Sequence, residues 1–416
     1  MKIKLVTFAP HPNFGTCLQS YALNKVLRDM GHDVEFIYNG RENPPKPLRS
    51  YIKNAVKFFI PNAIIKAINR KRAKTNSTKP DDKSPFILEL TNNYLLYVLS
   101  HLPGYCYVYK YMKCDTLQWK KVYSYTFEDG NYKMKRLYIR RQYKNVVKDA
   151  DLFITGSDQI WNPYCGGFNP MMFLEFAGEK KRVAYSSSIS QPSIPKSVEQ
   201  RMRDDLMKFT HIAVREQKSV ELLTALLGRD DIHLVVDPTA LLSTQEWLIF
   251  ASRAKIEFEL PKKYIFCYFI GQKRREVYEQ MVQEVKNFTG ISEVITLECY
   301  NRDICYGGGR LYKDGGPYEW VYLLSHASYV CMDSFHATIF ALKFHKEFVH
   351  AMKNSDSEAG SQNTRMYDLL SRYGLLYKNY SGIGVDWHSQ IDYIKIDCIL
   401  EKDVRESLAY LKSEIG

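Results

Sequence analysis

The chain has 416 residues, of which 45% are apolar and 25% are charged. This composition is typical of a globular protein and excludes global disorder, while the length predicts two domains of roughly 150–200 residues each. The formal net charge of +12 is concentrated in one part of the chain, so the sequence does not resemble a uniformly basic nucleic-acid-binding protein.

The sequence shows neither a targeting segment nor a metal site. Its first apolar run is broken by Pro10 and His11, and no apolar stretch reaches the roughly 18–20 residues that a membrane span needs. The 9 cysteines are odd in number and include no CxxC pair, which indicates neither a zinc site nor a disulfide framework. We therefore expect a cytoplasmic protein that binds no metal.

The first forty residues have the pattern of a βαβ unit. An apolar, β-branched run at residues 3–9 predicts a strand, and apolar residues at helical spacing predict a helix over residues 17–30. Gly31 follows where a helix C′ glycine is common, and residues 33–38 predict the second strand. Two strands joined by a helix imply a parallel sheet, in which ligands bind at the carboxyl ends of the strands, here at residues 13–16.

Residues 41–148 interrupt this pattern, and we interpret them as a basic, aromatic-rich and partly helical insertion. Between Arg41 and Lys74 there are ten basic residues and one acidic residue. An apolar stripe at helical spacing lies beside Lys and Arg within residues 52–72. Two interpretations remain open: an interfacial helix on anionic lipid, or a helix whose stripe packs on the core.

After the insertion, short apolar strands repeatedly deliver polar residues at their carboxyl ends. They are predicted at residues 151–158, 183–188, 212–216, 234–239, 264–271, 293–297 and 329–336. We therefore predict two Rossmann-like domains that face a cleft, at residues 1–250 and 251–390, with a helical tail at residues 391–416 that packs back on the first domain. This is the plan of the double-Rossmann, or GT-B-like, glycosyltransferases.

Residues 333–337 are the strongest local candidate for chemistry. A strand ends at this point, Asp333 and Ser334 occupy capping positions, and His336 lies in the first turn of the following helix. An imidazole titrates near neutral pH, so His336 is a candidate acid–base catalyst. Helix capping together with a packed histidine is the alternative interpretation.

A second candidate is the turn at residues 156–163. Gly156, Ser157 and Asp158 can hold anions or sugar hydroxyls through backbone NH and side-chain groups, and Trp161 offers a flat face for a sugar ring. A structural turn with a core tryptophan is the alternative. Arg215, at the end of another strand, is either an anion clamp or half of an ion pair. Further along the chain, Asp237-Pro238 follows a strand and can equally be an ordinary turn.

Taken together and in order, these blocks resemble the polysaccharide pyruvyl transferase family. The resemblance covers residues 1–40 and 150–376. It rests on Asn13-Phe-Gly-Thr-Cys-Leu-Gln19-Ser-Tyr-Ala-Leu23, Gly156-Ser-Asp-Gln-Ile-Trp-Asn-Pro163, Tyr185-Ser-Ser-Ser188, Val214-Arg-Glu216, Val236-Asp-Pro-Thr239, Gly316-Pro-Tyr-Glu-Trp320, Asp333-Ser-Phe-His-Ala-Thr-Ile-Phe340, Asn363-Thr-Arg365 and Asp368-Leu-Leu370.

The resemblance implies an enzyme that transfers a pyruvyl group from phosphoenolpyruvate to two hydroxyls of a sugar, forming a ketal, without a metal or other cofactor. The acceptor would be a polysaccharide or its lipid-linked precursor. His336 and Asp158 are then the expected acid–base pair. The expected substrate-binding residues are Asn13, Gly15, Gln19, Gly156, Ser157, Trp161, Arg215, Ser334, Asn363 and Arg365.

One position departs from the family pattern. Family members resemble Arg-Leu-His-Gly at this turn, whereas Ser334, Phe335, His336 and Ala337 occupy the matching positions here. The histidine is therefore present and the donor-binding arginine is not. This leaves Arg215 as the expected donor clamp.

Two other functions fit parts of the sequence. One is a glycosyltransferase that uses a nucleotide sugar on the same fold, although the DxD motif Asp149-Ala-Asp151 lies at a strand start. The other is a non-catalytic protein whose basic segment binds nucleic acid or membrane. We expect a catalyst that binds no nucleic acid and whose basic insertion holds it at the anionic inner face of the cell membrane.

Overall fold

The computed structural model describes residues 1–8, 12–39, 118, 121–122, 124–165, 168–271, 273–299, 303–358, 360–380 and 385–415. Most of the predicted insertion, including the apolar stripe of residues 52–72, lies outside these ranges. The structure therefore does not test the two interpretations of that stripe.

The first sheet has seven parallel strands in the order β3-β2-β1-β4-β5-β6-β7. In chain order they are β1 (Lys2–Val6), β2 (Asp33–Asn39), β3 (Met134–Leu137), β4 (Leu152–Thr155), β5 (Lys181–Ser187), β6 (His211–Val214) and β7 (Ile232–Leu234). Helices cover both faces of such a sheet, so its central strands are continuous apolar runs. In β4, for example, every residue is buried.

Helices connect these strands and continue beyond them. They are α1 (Phe14–Asp29), α2 (Arg140–Asp149), α3 (Lys196–Leu206), α4 (Gln217–Leu227), α5 (Pro238–Leu241) and α6 (Thr244–Ala251). The direction of strand order reverses between β1 and β4, which is where open parallel sheets form a ligand crevice.

The second sheet has six parallel strands in the order β10-β9-β8-β11-β12-β13, which is the Rossmann order. Its strands are β8 (Ile265–Tyr268), β9 (Val294–Leu297), β10 (Arg310–Tyr312), β11 (Tyr329–Met332), β12 (Phe348–Ala351) and β13 (Asn379–Tyr380). The helices of this half are α7 (Arg275–Thr289), α8 (Pro317–His326), α9 (Phe335–Lys343), α10 (Thr364–Arg372) and α11 (Tyr393–Ile415). Its strand order reverses between β8 and β11. The predicted fold of two Rossmann-like domains is confirmed.

The end of the predicted insertion belongs to the first sheet. Strand β3 pairs with β2 in parallel, and α2 then leads into β4. The α/β pattern therefore resumes near residue 134 rather than at residue 151. Strand β3 is a half-buried edge strand that contains Lys135 and Arg136, which is why its sequence does not look like a strand.

The last helix, α11, lies against the first domain. Ser407 Oγ accepts a hydrogen bond from the Val236 amide at 2.9 Å, and Tyr410 donates its hydroxyl proton to the Ala184 carbonyl at 3.4 Å. One continuous buried apolar cluster contains residues of both sheets, among them Leu5, Ile154, Phe266 and Val330. The two domains are thus packed together rather than separated by an open linker.

No helix among the described residues is long and apolar enough to cross a membrane.

Candidate active site

The carboxyl ends of the two sheets face each other. The Phe14 amide, at the start of α1 in the first domain, donates a hydrogen bond to Tyr268 Oη, at the end of β8 in the second, at 3.3 Å. The polar loops that follow β1, β4, β6 and β7 therefore meet those that follow β8, β11 and β12. We take this meeting point as the candidate active site.

Two helix amino termini approach each other closely at this point. Ser334 is the N-cap of α9, and its Oγ accepts a hydrogen bond from the Ala337 amide at 3.4 Å. His336 follows in the first turn and lies against Gly15, which is in the first turn of α1. A Cβ atom placed on Gly15 would be 2.2 Å from His336 Nδ1. Only glycine leaves room for the imidazole at this position.

The partner of His336 is Asp237, which follows β7. His336 Nε2 is 3.4 Å from Asp237 Oδ2, an ion-pair distance, and makes no hydrogen bond with a described residue. The same Oδ2 accepts hydrogen bonds from Arg215 Nη1 at 2.7 Å and from Ser157 Oγ at 3.2 Å. Burial by itself would raise the pKa of the Asp237 carboxyl, but the attraction of His336 and Arg215 holds that pKa well below its usual range.

Sequence reasoning assigned no role to Asp237. The signal was present, because a carboxylate at the carboxyl end of a strand lies at the ligand edge of the sheet. What the sequence could not show is that β7 and β11, in different domains, bring Asp237 and His336 together.

Asp158 is held by hydrogen bonds on both of its oxygens. Its Oδ1 accepts from Arg215 Nη2 at 3.2 Å and from the Gln159 amide at 2.9 Å, and its Oδ2 accepts from Thr16 Oγ1 at 2.9 Å. Burial acts to raise the pKa of this carboxyl, but the positive charges of Arg215, His336 and Arg365 together with the Gln159 amide outweigh it, and the pKa is lowered. In this structure Asp158 fixes Arg215 and the start of α1, and its role in proton transfer stays a prediction.

Arg215 is the centre of a buried ion-pair network. Its side chain is fully buried and lies 2.7 Å from Asp237, 3.2 Å from Asp158 and 3.8 Å from Glu216. Its guanidinium carbon is also 4.4 Å from the centre of the Phe335 ring. Burial acts to lower the pKa of Arg215, but the three carboxylates outweigh it and raise that pKa. Of the two roles considered for Arg215, the structure displays the ion pair.

Arg365 and Asn363 reach the site from the start of α10. The Arg365 guanidinium carbon is 5.5 Å from the centre of the Phe335 ring. Burial and the nearby charge of Arg215 lower the pKa of Arg365 to about 10. Asn363 donates from Nδ2 to the Asn354 carbonyl at 2.8 Å and to Asp356 Oδ1 at 2.7 Å, so it orders the loop that precedes Arg365.

Trp161 does not have an open face for a sugar ring. Its side chain is 2% exposed and stacks on Phe173 with ring centres 6.0 Å apart. Its indole NH donates to the Met172 carbonyl at 3.3 Å. The stacking role predicted for Trp161 is therefore incompatible with this structure, and the alternative of a core tryptophan describes it.

The remaining predicted residues support the backbone around the site. Asn13 is the N-cap of α1. Gln19 is fully buried and donates from Nε2 to Thr7 Oγ1 at 3.3 Å and to the Thr16 carbonyl at 3.1 Å. Gly156 has a φ of +113°, and a Cβ atom there would be 2.1 Å from the Tyr185 carbonyl oxygen. These residues shape the loops around the site, and their predicted role in substrate binding stays a prediction.

Among the described residues, no group of three or more His, Cys, Asp or Glu side chains is arranged to hold a metal ion.

Comparison with known proteins identifies one family. The family model described as polysaccharide pyruvyl transferase matches residues 13–356. This range contains Gly15, Asp237 and His336, whereas Arg365 lies beyond its end. No curated protein matches the chain.

Solved structures with a similar overall fold are distant in sequence. UDP-GlcNAc 2-epimerase from Neisseria meningitidis is 9% identical with a TM-score of 0.45, and the alignment covers 99% of this chain and 100% of that one. A putative UDP-N-acetylglucosamine 2-epimerase from Listeria monocytogenes is 10% identical with a TM-score of 0.47, covering 100% and 96%. Arabidopsis thaliana UGT89C1 in complex with UDP is 10% identical with a TM-score of 0.46, covering 99% and 98%. These similarities carry no information about the activity of this chain.

Proposed function

Because this chain belongs to the polysaccharide pyruvyl transferase family, we propose that it transfers a pyruvyl group from phosphoenolpyruvate to two hydroxyls of one sugar. The acceptor is a polysaccharide under assembly or its lipid-linked precursor. The product is a cyclic pyruvate ketal, and inorganic phosphate is released.

The observation that carries this proposal is the pair formed by His336 and Asp237 between the two domains. The imidazole Nε2 lies 3.4 Å from a carboxylate whose pKa is held well below its usual range. A carboxylate beside an imidazole fixes the orientation of the ring. His336 can therefore take a proton from one substrate group and return it to another.

The reaction needs such a group. Protonation of the donor's methylene carbon makes C2 electrophilic, and a sugar hydroxyl that loses its proton attacks C2. The bond between C2 and the phosphate oxygen then breaks, and the second hydroxyl closes the ring. Of the two protons that leave the hydroxyls, one balances the proton given to the methylene carbon and the other leaves with phosphate. An acid–base residue typically contributes about 10²–10⁴-fold to such transfers.

The surroundings of His336 favour a small anionic donor over a neutral one. Helix α9 begins three residues after the end of β11, and α10 is the helix that follows β12. The backbone NH groups in the first turn of a helix favour bound anions. Arg365 adds a cation from the first turn of α10.

The basic segment within residues 41–74 supports a location at anionic lipid, where a lipid-linked acceptor would be found. This part of the proposal rests on the sequence alone, because the segment lies outside the described residues.

The direct test incubates the purified protein with phosphoenolpyruvate and surface glycan from the producing cells. We expect release of inorganic phosphate together with a pyruvyl group on the glycan, detected by mass spectrometry. In D₂O the methyl group of the ketal should acquire deuterium, because its third hydrogen comes from the solvent. Transfer from a nucleotide sugar, with no phosphate released from phosphoenolpyruvate, would contradict the proposal and favour the glycosyltransferase.

A further inference from the structure

Lys353 lies at the same edge of the second sheet as His336. It follows β12, which pairs with β11, and β11 leads into Asp333 and Ser334. A Cβ atom on Gly271, in the loop after β8, would be 3.1 Å from Lys353 Cγ and 2.7 Å from Asp333 Oδ2. The stem of Lys353 therefore packs beside the point where the strand order of the second sheet reverses.

No hydrogen bond or ion pair joins the Lys353 ammonium group to a described residue. Asp333, the carboxylate beside it, is already occupied. It accepts hydrogen bonds from the amides of Ile270 and Gly271, both at 2.6 Å, and from Tyr278 Oη at 2.7 Å. Lys353 thus differs from Arg215, which has three carboxylate partners.

The positive charges of Lys353 and Arg365 act on each other, and Lys353 has no ion-pair partner among the described residues. Burial lowers the pKa of Lys353, and the positive charge of Arg365 lowers it further. Burial also lowers the pKa of Arg365. A bound anion would reverse both effects, because an opposite charge at short distance favours the protonated form.

We propose that Lys353, together with Arg365, binds the phosphate or carboxylate of the donor on the second-domain side of the cleft. The identity of the donor in this proposal rests on the proposed function. The position of the anion-binding site rests on the packing of Lys353. Lys353 would then supply a positive charge at the edge of the sheet where Ser334 stands in the position of the family's arginine. Arg215 would then have a structural role in its buried ion-pair network and would not bind the donor.

The test replaces Lys353 by methionine, which keeps the length and packing of the stem and removes the charge. Lys346 is a matched control, since it is also half-buried, has a pKa lowered by burial, and lies before β12 at the opposite edge of the sheet. Binding of phosphoenolpyruvate, inorganic phosphate and pyruvate is measured by titration calorimetry, with thermal unfolding of each variant alongside.

We expect Lys353→Met to weaken phosphoenolpyruvate binding at least about tenfold, as for loss of one hydrogen bond to a charged group, and Lys346→Met to leave it unchanged. A matching loss for inorganic phosphate assigns Lys353 to the phosphate, and a matching loss for pyruvate assigns it to the carboxylate. Should Lys353→Met fail to fold, Lys353→Gln provides the same comparison.

The outcomes separate this inference from the proposed function. If wild-type protein transfers pyruvate and Lys353→Met binds the donor as tightly, the inference is wrong and the function stands. If wild-type protein binds phosphate through Lys353 but neither binds nor transfers phosphoenolpyruvate, the anion site stands and the proposed donor is wrong.

Discussion

His336 is positioned by residues from three separate segments of the chain. Ser334 caps its helix, Gly15 leaves room for its ring, and Asp237 lies 3.4 Å from its Nε2. Only the first of these neighbours is close in sequence. The histidine is therefore in place only when both domains are folded and packed together.

We expect His336→Ala to fold normally and to lose about 10²-fold or more in kcat, because an acid–base group is removed. Turnover is followed by phosphate release and folding by circular dichroism. His345→Ala is a suitable control, because His345 is half exposed and pairs with Asp397 away from the site. Near-normal turnover by a folded His336→Ala protein would rule out the catalytic role.

We expect Asp237→Asn to lower kcat beyond what its stability loss explains. The substitution removes the negative charge that both His336 and Arg215 contact. Breaking a buried ion pair costs about 3–5 kcal/mol, so urea unfolding is measured with the kinetics. A variant that is destabilised yet turns over normally per folded molecule would show that Asp237 has a structural role only.

We expect Arg215→Lys to affect stability more than donor binding. Lysine keeps the charge but cannot bridge Asp158 and Asp237 with a planar fork, so the loss should be below the about 3–5 kcal/mol expected for removing the charge. Calorimetric affinity for phosphoenolpyruvate should change less than in Lys353→Met. A larger change for Arg215→Lys would restore Arg215 as the donor clamp.

The site forms where the amino termini of α1 and α9 meet. Each begins directly after the loop that follows a strand at the point where its sheet reverses order, which is β1 in the first sheet and β11 in the second. Helix amino termini carry a partial positive charge. The carboxylates of Asp158 and Asp237 offset this charge where the two helices meet.

Gly15→Ala tests the contact between these helices. Alanine is favoured over glycine within a helix by about 1 kcal/mol, so a change without steric consequence should stabilise the protein. A new Cβ atom 2.2 Å from His336 Nδ1 instead forces the imidazole or the helix to move. We expect kcat to fall at least about tenfold, since displacement of a catalytic group by about 1 Å can cost 10²-fold. Unchanged kcat with a raised melting temperature would contradict this packing.

Strand ends and helix starts could be predicted from the sequence, because buried parallel strands are continuous apolar runs and the loops after them are polar. Strand β3 was missed because an edge strand containing Lys135 and Arg136 has no such run. The role of Asp237 was missed for a different reason. It depends on how the two domains pack, and neither the sequence around Asp237 nor the sequence around His336 indicates that packing. Trp161 was misassigned because sequence does not show which face of a turn is buried.

The two domains share a buried apolar cluster and are further joined by α11. Ser407, Tyr410 and Glu414 on this helix contact the first domain. The relative position of the two domains, and with it the cleft between them, is therefore fixed both by the shared apolar cluster and by α11. The surface that would bring this assembly to its acceptor is predicted from residues 52–72 only.

We expect the protein to float with anionic liposomes at low salt and to stay in the soluble fraction with neutral ones. Basic residues near an anionic surface contribute about 1 kcal/mol each, and the segment has Lys53, Lys57, Lys66 and a cluster at residues 70–72. Neutralising these residues should abolish flotation. If wild-type protein does not float with anionic vesicles at low salt, the apolar stripe belongs to the core instead.

The contact between Gly15 and His336 also limits how such enzymes can be recombined. A chimera that joins the first domain of one transferase to the second domain of another inherits its histidine from one parent and the space for that histidine from the other. Any side chain at position 15 would collide with the imidazole ring at position 336. Exchange of domains should therefore yield active enzymes only when the parent that supplies the first domain has glycine at this position, and the two positions should change together during divergence.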